Sequence, residues 1–143
     1  MQQQKATSTG HWERSIRSGR TGELVVGARL VELGFDLFWP VNEQPPIDLI
    51  SVWKDTVVNR VQIKTKSIPR ESQLSQEVRV GGTDAKKYDY LIAYLVTQTA
   101  FYVVPAKRVC TGSRKNLIFY PNGKTSCVEQ DLEEYRDAWH LLR

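Results

Sequence analysis

The stretch YLIAYLV, residues 90–96, limits the architecture more than any other part of the chain. Its only polar atoms are the hydroxyls of Tyr90 and Tyr94, so it lacks the wet–dry alternation of a surface strand. A short run of this kind reads as a central strand covered on both faces. AFYVVP (100–105) follows after a tight turn and reads as its neighbour. A sheet with both faces dry needs a layer on each side, which sequence-distant segments must supply.

The remaining segments can provide those layers. RTGELVVGARLVELGF predicts a helix from about Arg20 to Leu33, with Gly34 as its stop. FDLFW (35–39) reads as a strand ended by Pro40. IDLISVW (47–53) and VVNRVQIKTK (57–66), joined by KDT, predict an antiparallel hairpin. Residues 68–76 are polar and contain Pro69, so they read as a loop before EVRV, a short edge strand. TDAKKY suggests a helical turn capped by Thr83, and NLIFY (116–120) a further strand closed by the turn PNG. Ser126 and Glu129 form a capping box, and Leu132, Tyr135, Trp139 and Leu142 then share one helical stripe, predicting a helix packed on the sheet. The fold expected is α/β (α+β), a central mixed sheet of four to five strands flanked by helices.

At 143 residues, the chain suits one core, expected over residues 19–143 behind a flexible polar and basic arm at 1–18. No apolar run approaches a membrane span and the N-terminus has no signal-like centre, so a cytoplasmic protein with no membrane partner is expected. Cys110 and Cys127 stand apart without CxxC spacing, which argues against a zinc site and, in a reducing compartment, against a disulfide. The net charge of +4 is unevenly placed, with acids gathered near the C-terminus and bases elsewhere. A phosphate-rich partner fits that division, and scattered solvating charge fits it equally well.

VQIKTK (61–66) alternates, with Val61, Ile63 and Thr65 on one side and Gln62, Lys64 and Lys66 on the other. Two acids elsewhere give that polar side something to face. Glu23 projects near the middle of the apolar arc of the first helix, where a lone carboxylate costs several kcal/mol unless paired or bound to a cation. Asp48 lies among Ile47, Leu49, Ile50 and Val52, an unusual place for aspartate in a strand. A satisfied structural acid and a strand-entry acid are the competing readings of these two. If the hairpin forms, Asp48 approaches Gln62 and Lys64. Glu23, Asp48 and the amide oxygen of Gln62 then supply hard oxygen donors for Mg²⁺ (with Mn²⁺ able to substitute), and Lys64 stands beside them as the catalytic lysine. The reaction implied is phosphodiester hydrolysis.

An acid on a first helix, then Pro46-Ile47-Asp48, then Gln62-Ile63-Lys64, resembles the PD-(D/E)XK nuclease superfamily. RVQIKTKS and the later YDYLIAYLVTQTAFYVVPAKRV extend the likeness to the small bacterial and archaeal PD-(D/E)XK endonucleases, which include intron-encoded homing enzymes. Archaeal Holliday-junction resolvases are similar at greater distance. The resemblance implies a restriction-endonuclease-like core and metal-dependent cleavage of double-stranded DNA; cutting both strands with one site per chain then predicts a homodimer or homotetramer. A junction resolvase, or a DNA-binding protein with weakened or lost catalysis, is the alternative. Gln62 departs from the acid most members carry: with two carboxylates, Mg²⁺ and Lys64, the local charge sums to +1 rather than zero. Arg20, Lys66, Arg70, Arg79, Lys86 and Lys87 are the candidate DNA contacts, with a further basic patch at Lys107, Arg108, Arg114 and Lys115. Gln73, Gln76 and Arg79 are candidate base readers.

Overall fold

The computed structural model describes residues 9–42, 47–67, 76–80, 85–109, 116–120 and 132–143. Helix α1 spans Thr9–Glu32, so it begins well upstream of Arg20, and residues 9–18 of the expected arm are helical. Its end follows the glycine signal. Gly34 adopts φ +90°, the Gly34 N–H donates to the Val31 carbonyl (2.9 Å) and the Phe35 N–H to the Leu30 carbonyl (3.1 Å). That pair of bonds is a Schellman stop, closed by the buried side chains of Leu30 and Phe35.

Strand β1 (Asp36–Phe38) leads to the hairpin of β2 (Leu49–Trp53) and β3 (Val57–Lys66), antiparallel as expected and in register from Trp53↔Val57 to Leu49↔Val61. Its turn places Lys54 at φ 48° and Asp55 at φ 60°, with the Thr56 N–H donating to the Trp53 carbonyl (3.1 Å). Two positive-φ residues in sequence match the right-handed twist of a strand pair. Strand β4 covers Gln76–Arg79, β5 Tyr90–Leu95 and β6 Ala100–Pro105, followed by the short helix α2 (Ala106–Val109) and β7 (Asn116–Phe119). The main sheet has the order β1-β2-β3-β5-β6; β5 runs parallel to β3 and the other pairs are antiparallel. EVRV and NLIFY do not join it but pair with each other, as a two-stranded β4–β7 sheet.

Strand β5 is buried on both faces, as its composition demands. Ile92 and Tyr94 pack with Val26 and Leu30 of α1, Val61 and Ile63 of β3, and Trp139 and Leu142 near the C-terminus. Leu91, Ala93 and Leu95 pack on the opposite side, with Val78 of β4, Leu117 and Phe119 of β7, and Leu132. These two clusters are the layers the central strand required.

The C-terminal helix is a correction. Residues 133–135 and 139–142 form two 3-10 turns, Glu133–Tyr135 and Trp139–Leu142, separated by a break. Arg136 is extended (φ −65°, ψ 125°) and bridges to Tyr102, while Asp137 takes φ 48° and donates its N–H to the Phe101 carbonyl (2.9 Å). The edge of β6 thus claims the backbone that a helix would have used internally. Leu132, Trp139 and Leu142 are still buried, so the stripe identified the right residues and the wrong backbone. Buried Asn59 donates to the Leu142 carbonyl (2.9 Å), and the Tyr102 hydroxyl donates to Glu133 Oε1 (2.7 Å), tying this segment to the sheet. Ser126, Glu129, both cysteines and Thr83 lie outside the described residues.

Candidate active site

Strand β3 is paired unequally along its length. On the β2 side the ladder ends at Leu49↔Val61, whereas on the β5 side it continues from Val61↔Tyr90 to Lys66↔Leu95. Beyond Val61 one edge of β3 therefore has no strand hydrogen-bonded to it among the described residues. Peptide groups of the odd-numbered residues face that edge: the Val61 carbonyl accepts the Asp48 N–H at 2.9 Å, and the Ile63 N–H points the same way.

Asp48 occupies this gap. Its Oδ2 accepts the Ile63 N–H at 2.6 Å and the Gln62 Nε2–H at 2.7 Å, so a side chain replaces the missing strand partner. Assigning the amide the other way round would set two acceptors against each other, so nitrogen must face the carboxylate. Gln62 is 5% exposed, which excludes a wet strand face at this position. Its Oε1 is buried with no hydrogen-bond partner among the described residues. A buried acceptor left in that state costs about 1–3 kcal/mol unless something else, such as a cation, satisfies it.

Glu23 sits on α1, one turn before buried Gly27 and two before buried Leu30, and thus on the helix's inner side. Its side chain retains a quarter of its exposure and meets Arg20 Nη1 at 3.8 Å. The apolar arc read from the sequence is wider than the buried one: Leu24, Ala28 and Val31 are exposed. Close packing brings α1 onto β3, because a Cβ on Gly22 would overlap the Thr65 side chain.

Asp48 feels the whole group. Burial pushes its carboxyl up to about 6, the Ile63 N–H opposes that, and the negative charge of Glu23 adds to the rise. Lys64 and Arg20 pull the other way. Four of the candidates (Arg20, Glu23, Asp48 and Lys64) are thereby electrostatically joined, and Gln62 joins them through its hydrogen bond to the Asp48 carboxylate. Lys66 ends β3 two residues beyond Lys64, half-buried. Exposed Arg79 lies on β4, in the second sheet, and Lys86 and Lys87 lie exposed in the turn before β5; none of these bears on Asp48. Pro46, Arg70, Gln73, Arg114 and Lys115, and the side chain of Gln76, fall outside the described residues. Sequence reasoning missed the Ile63 N–H, which carries no side-chain signal. Working out where the β2 ladder stops would have exposed it.

The donor set fits a hard divalent cation. Two carboxylates near one another in a partly buried place are mutually unfavourable without a positive partner, and the unpartnered Gln62 oxygen is a neutral donor on a side chain already bonded to one of them. Among the described residues no cluster of three or more His, Cys, Asp or Glu exists, so a third protein ligand would have to be an oxygen of another kind, as an amide offers.

A mixed sheet with an acid, an amide and a lysine at its half-open strand, and a further acid on the first helix, defines a nuclease-type core. The chain belongs to the PD-(D/E)XK endonuclease family, whose model matches residues 15–142, and it is a nuclease of that type. It is similar in fold to a bacterial homing endonuclease, I-Ssp6803I, with 20% identity over 87% of each chain and a TM-score of 0.72. It is also similar to Hjc, a Holliday junction resolvase from the archaeal hyperthermophile Archaeoglobus fulgidus, with 16% identity over 76% of this chain and 91% of that one and a TM-score of 0.46. No curated protein matches the chain. PD-(D/E)XK nucleases generally use divalent metals, and DNA is the substrate the family implies. Among the described residues no helix is long and apolar enough to cross a membrane.

Proposed function

We propose that this chain is a Mg²⁺-dependent DNA endonuclease, acting as a site-specific homing enzyme in the cytoplasm. The observation that carries the reading is Asp48 held by Gln62 and Ile63 at the open edge of β3, under the charges of Glu23, Lys64 and Arg20. Glu23, Asp48 and Gln62 would hold the cation. When bound, it supplies Lewis-acid polarisation of a phosphate oxygen and lowers the pKa of water.

The chain's own residues account for the rest. Lys64 shares the strand face of Gln62 and orients the attacking water, while its charge stabilises the pentavalent phosphate. Arg20, beside Glu23, keeps that acid from drifting off the site and adds positive charge where a DNA backbone approaches. Lys66, next on the same face, extends the positive lane along the strand. Lys86, Lys87 and Arg79 contribute phosphate contacts away from the reacting bond.

One such site cuts one strand, so duplex cleavage calls for a homodimer or homotetramer, which sedimentation on DNA would measure. The test of activity is plasmid nicking in Mg²⁺. Wild type converts supercoiled DNA, and Lys64→Ala loses about two orders of magnitude or more in rate while its circular dichroism is unchanged. Absence of cleavage of linear, supercoiled and four-way-junction DNA in millimolar Mg²⁺ or Mn²⁺ would sink the proposal. Preference for the four-way junction would replace the homing reading with a resolvase.

A further inference from the structure

Gln62 does more than a ligand needs to do. As β2 ends at Leu49, the Ile63 N–H meets no strand carbonyl, and the Asp48 carboxylate takes its place. That carboxylate is fixed by two short bonds to one oxygen, 2.6 Å from Ile63 and 2.7 Å from Gln62, and only the second comes from a side chain that evolution can vary. Gln62 itself is immobilised by burial within the strand. Its two amide ends then have separate fates: Nε2 is spent on Asp48, with a weaker approach to the Ile63 carbonyl at 3.4 Å, and Oε1 is left unpartnered among the described residues.

We propose that Gln62 is a positioning residue that assembles the acid end of the site before any cation arrives. Its amide N–H clamps Asp48 against the open edge of β3, and its oxygen stays available. The purpose of this clamp rests on the endonuclease reading, although its geometry does not. A glutamate at this position offers more ligand charge but no N–H. Facing Asp48 at the same separation it would repel the carboxylate until a cation bridged the two. The glutamine thus exchanges cation affinity for a site that is already formed in the cation-free protein, and for an Ile63 amide that stays bonded.

The test is residue-resolved amide exchange by NMR on the full chain, in EDTA and in millimolar Mg²⁺. The readout is the rate at Ile63 divided by that at Ile92, buried in the centre of β5, so that global opening cancels. Wild type should give the same ratio with and without Mg²⁺, within about twofold. Gln62→Met, neutral and of similar length but without a donor, should raise the ratio roughly tenfold in both conditions. Gln62→Glu should raise it in EDTA and return towards wild type on adding Mg²⁺. Protection of Ile63 in wild type only when Mg²⁺ is present overturns the proposal, as does an unchanged ratio in both variants in EDTA. Plasmid nicking on the same wild-type sample separates the two claims: a protected Ile63 in a protein that cuts nothing removes the endonuclease reading and leaves the clamp standing.

Discussion

Asp48 shows how far one residue's surroundings reach. Its carboxyl is raised to about 6, chiefly by burial, from the 3.8 of an unfolded aspartate. Between those two values the cation-free fold binds a proton that the unfolded chain has released, so this group's contribution to stability falls as pH rises through that window. Cation binding has the opposite sign, since it needs the ionised carboxylate. The thermal shift caused by Mg²⁺ should therefore be small at pH 5 and grow through pH 6 to a plateau above neutrality, as scanning calorimetry would measure. Asp48→Asn should flatten that curve. Asp89 behaves in reverse: its bidentate bonds to Arg60 (2.9 and 3.1 Å) hold its carboxyl below the usual range, and their contribution is lost as pH falls through that lowered value. Both acids were visible in the sequence as charges. Only the structure says which half-buried acid is paired with a base and which lies near another acid.

At the scale of elements, the legible features were those set by local chemistry. Gly34 stops α1, the KDT turn joins β2 to β3, and the apolar run of β5 lies between two layers. Features settled by distant partners were not legible. The upstream extension of α1 gives no apolar periodicity to read, and the C-terminal stripe lost its helix because β6 offered Arg136 and Asp137 backbone partners. One element contact is open to direct test. Gly22 lets α1 lie against Thr65 of β3, so Gly22→Ala forces those elements apart; the cost should be about 1–3 kcal/mol in urea unfolding, despite alanine's better helix propensity. Because Glu23 is the next residue, cleavage should fall further than stability alone explains.

At the scale of the whole molecule, charge placement bears on how the proposed DNA substrate would approach. Lys86 and Lys87 are exposed in a turn away from the Asp48 cluster, so Lys86→Ala with Lys87→Ala should weaken binding without altering the pH profile of cleavage. The slope of log affinity against log salt should become shallower by about 0.9 for each phosphate that the variant no longer neutralises. The division of β4 and β7 into their own sheet, which no run of residues announces, is what covers the Leu91–Leu95 face of β5.

The part of β3 that no strand pairs on the β2 side, among the described residues, also has a bearing on solubility. A strand edge with vacant peptide groups is a template for a strand from another molecule, and proteins commonly blunt such edges with lysine. Lys64 and Lys66 stand on the half-strand where the β2 ladder has stopped, so the charges that would meet a phosphate also discourage self-association. Lys64→Ala combined with Lys66→Ala should therefore turn turbid sooner than wild type on gentle heating at low salt, by light scattering, and a charge-preserving Lys66→Arg should not. The edge through which the proposed substrate would reach Asp48 is thus also one that a strand of another molecule could approach.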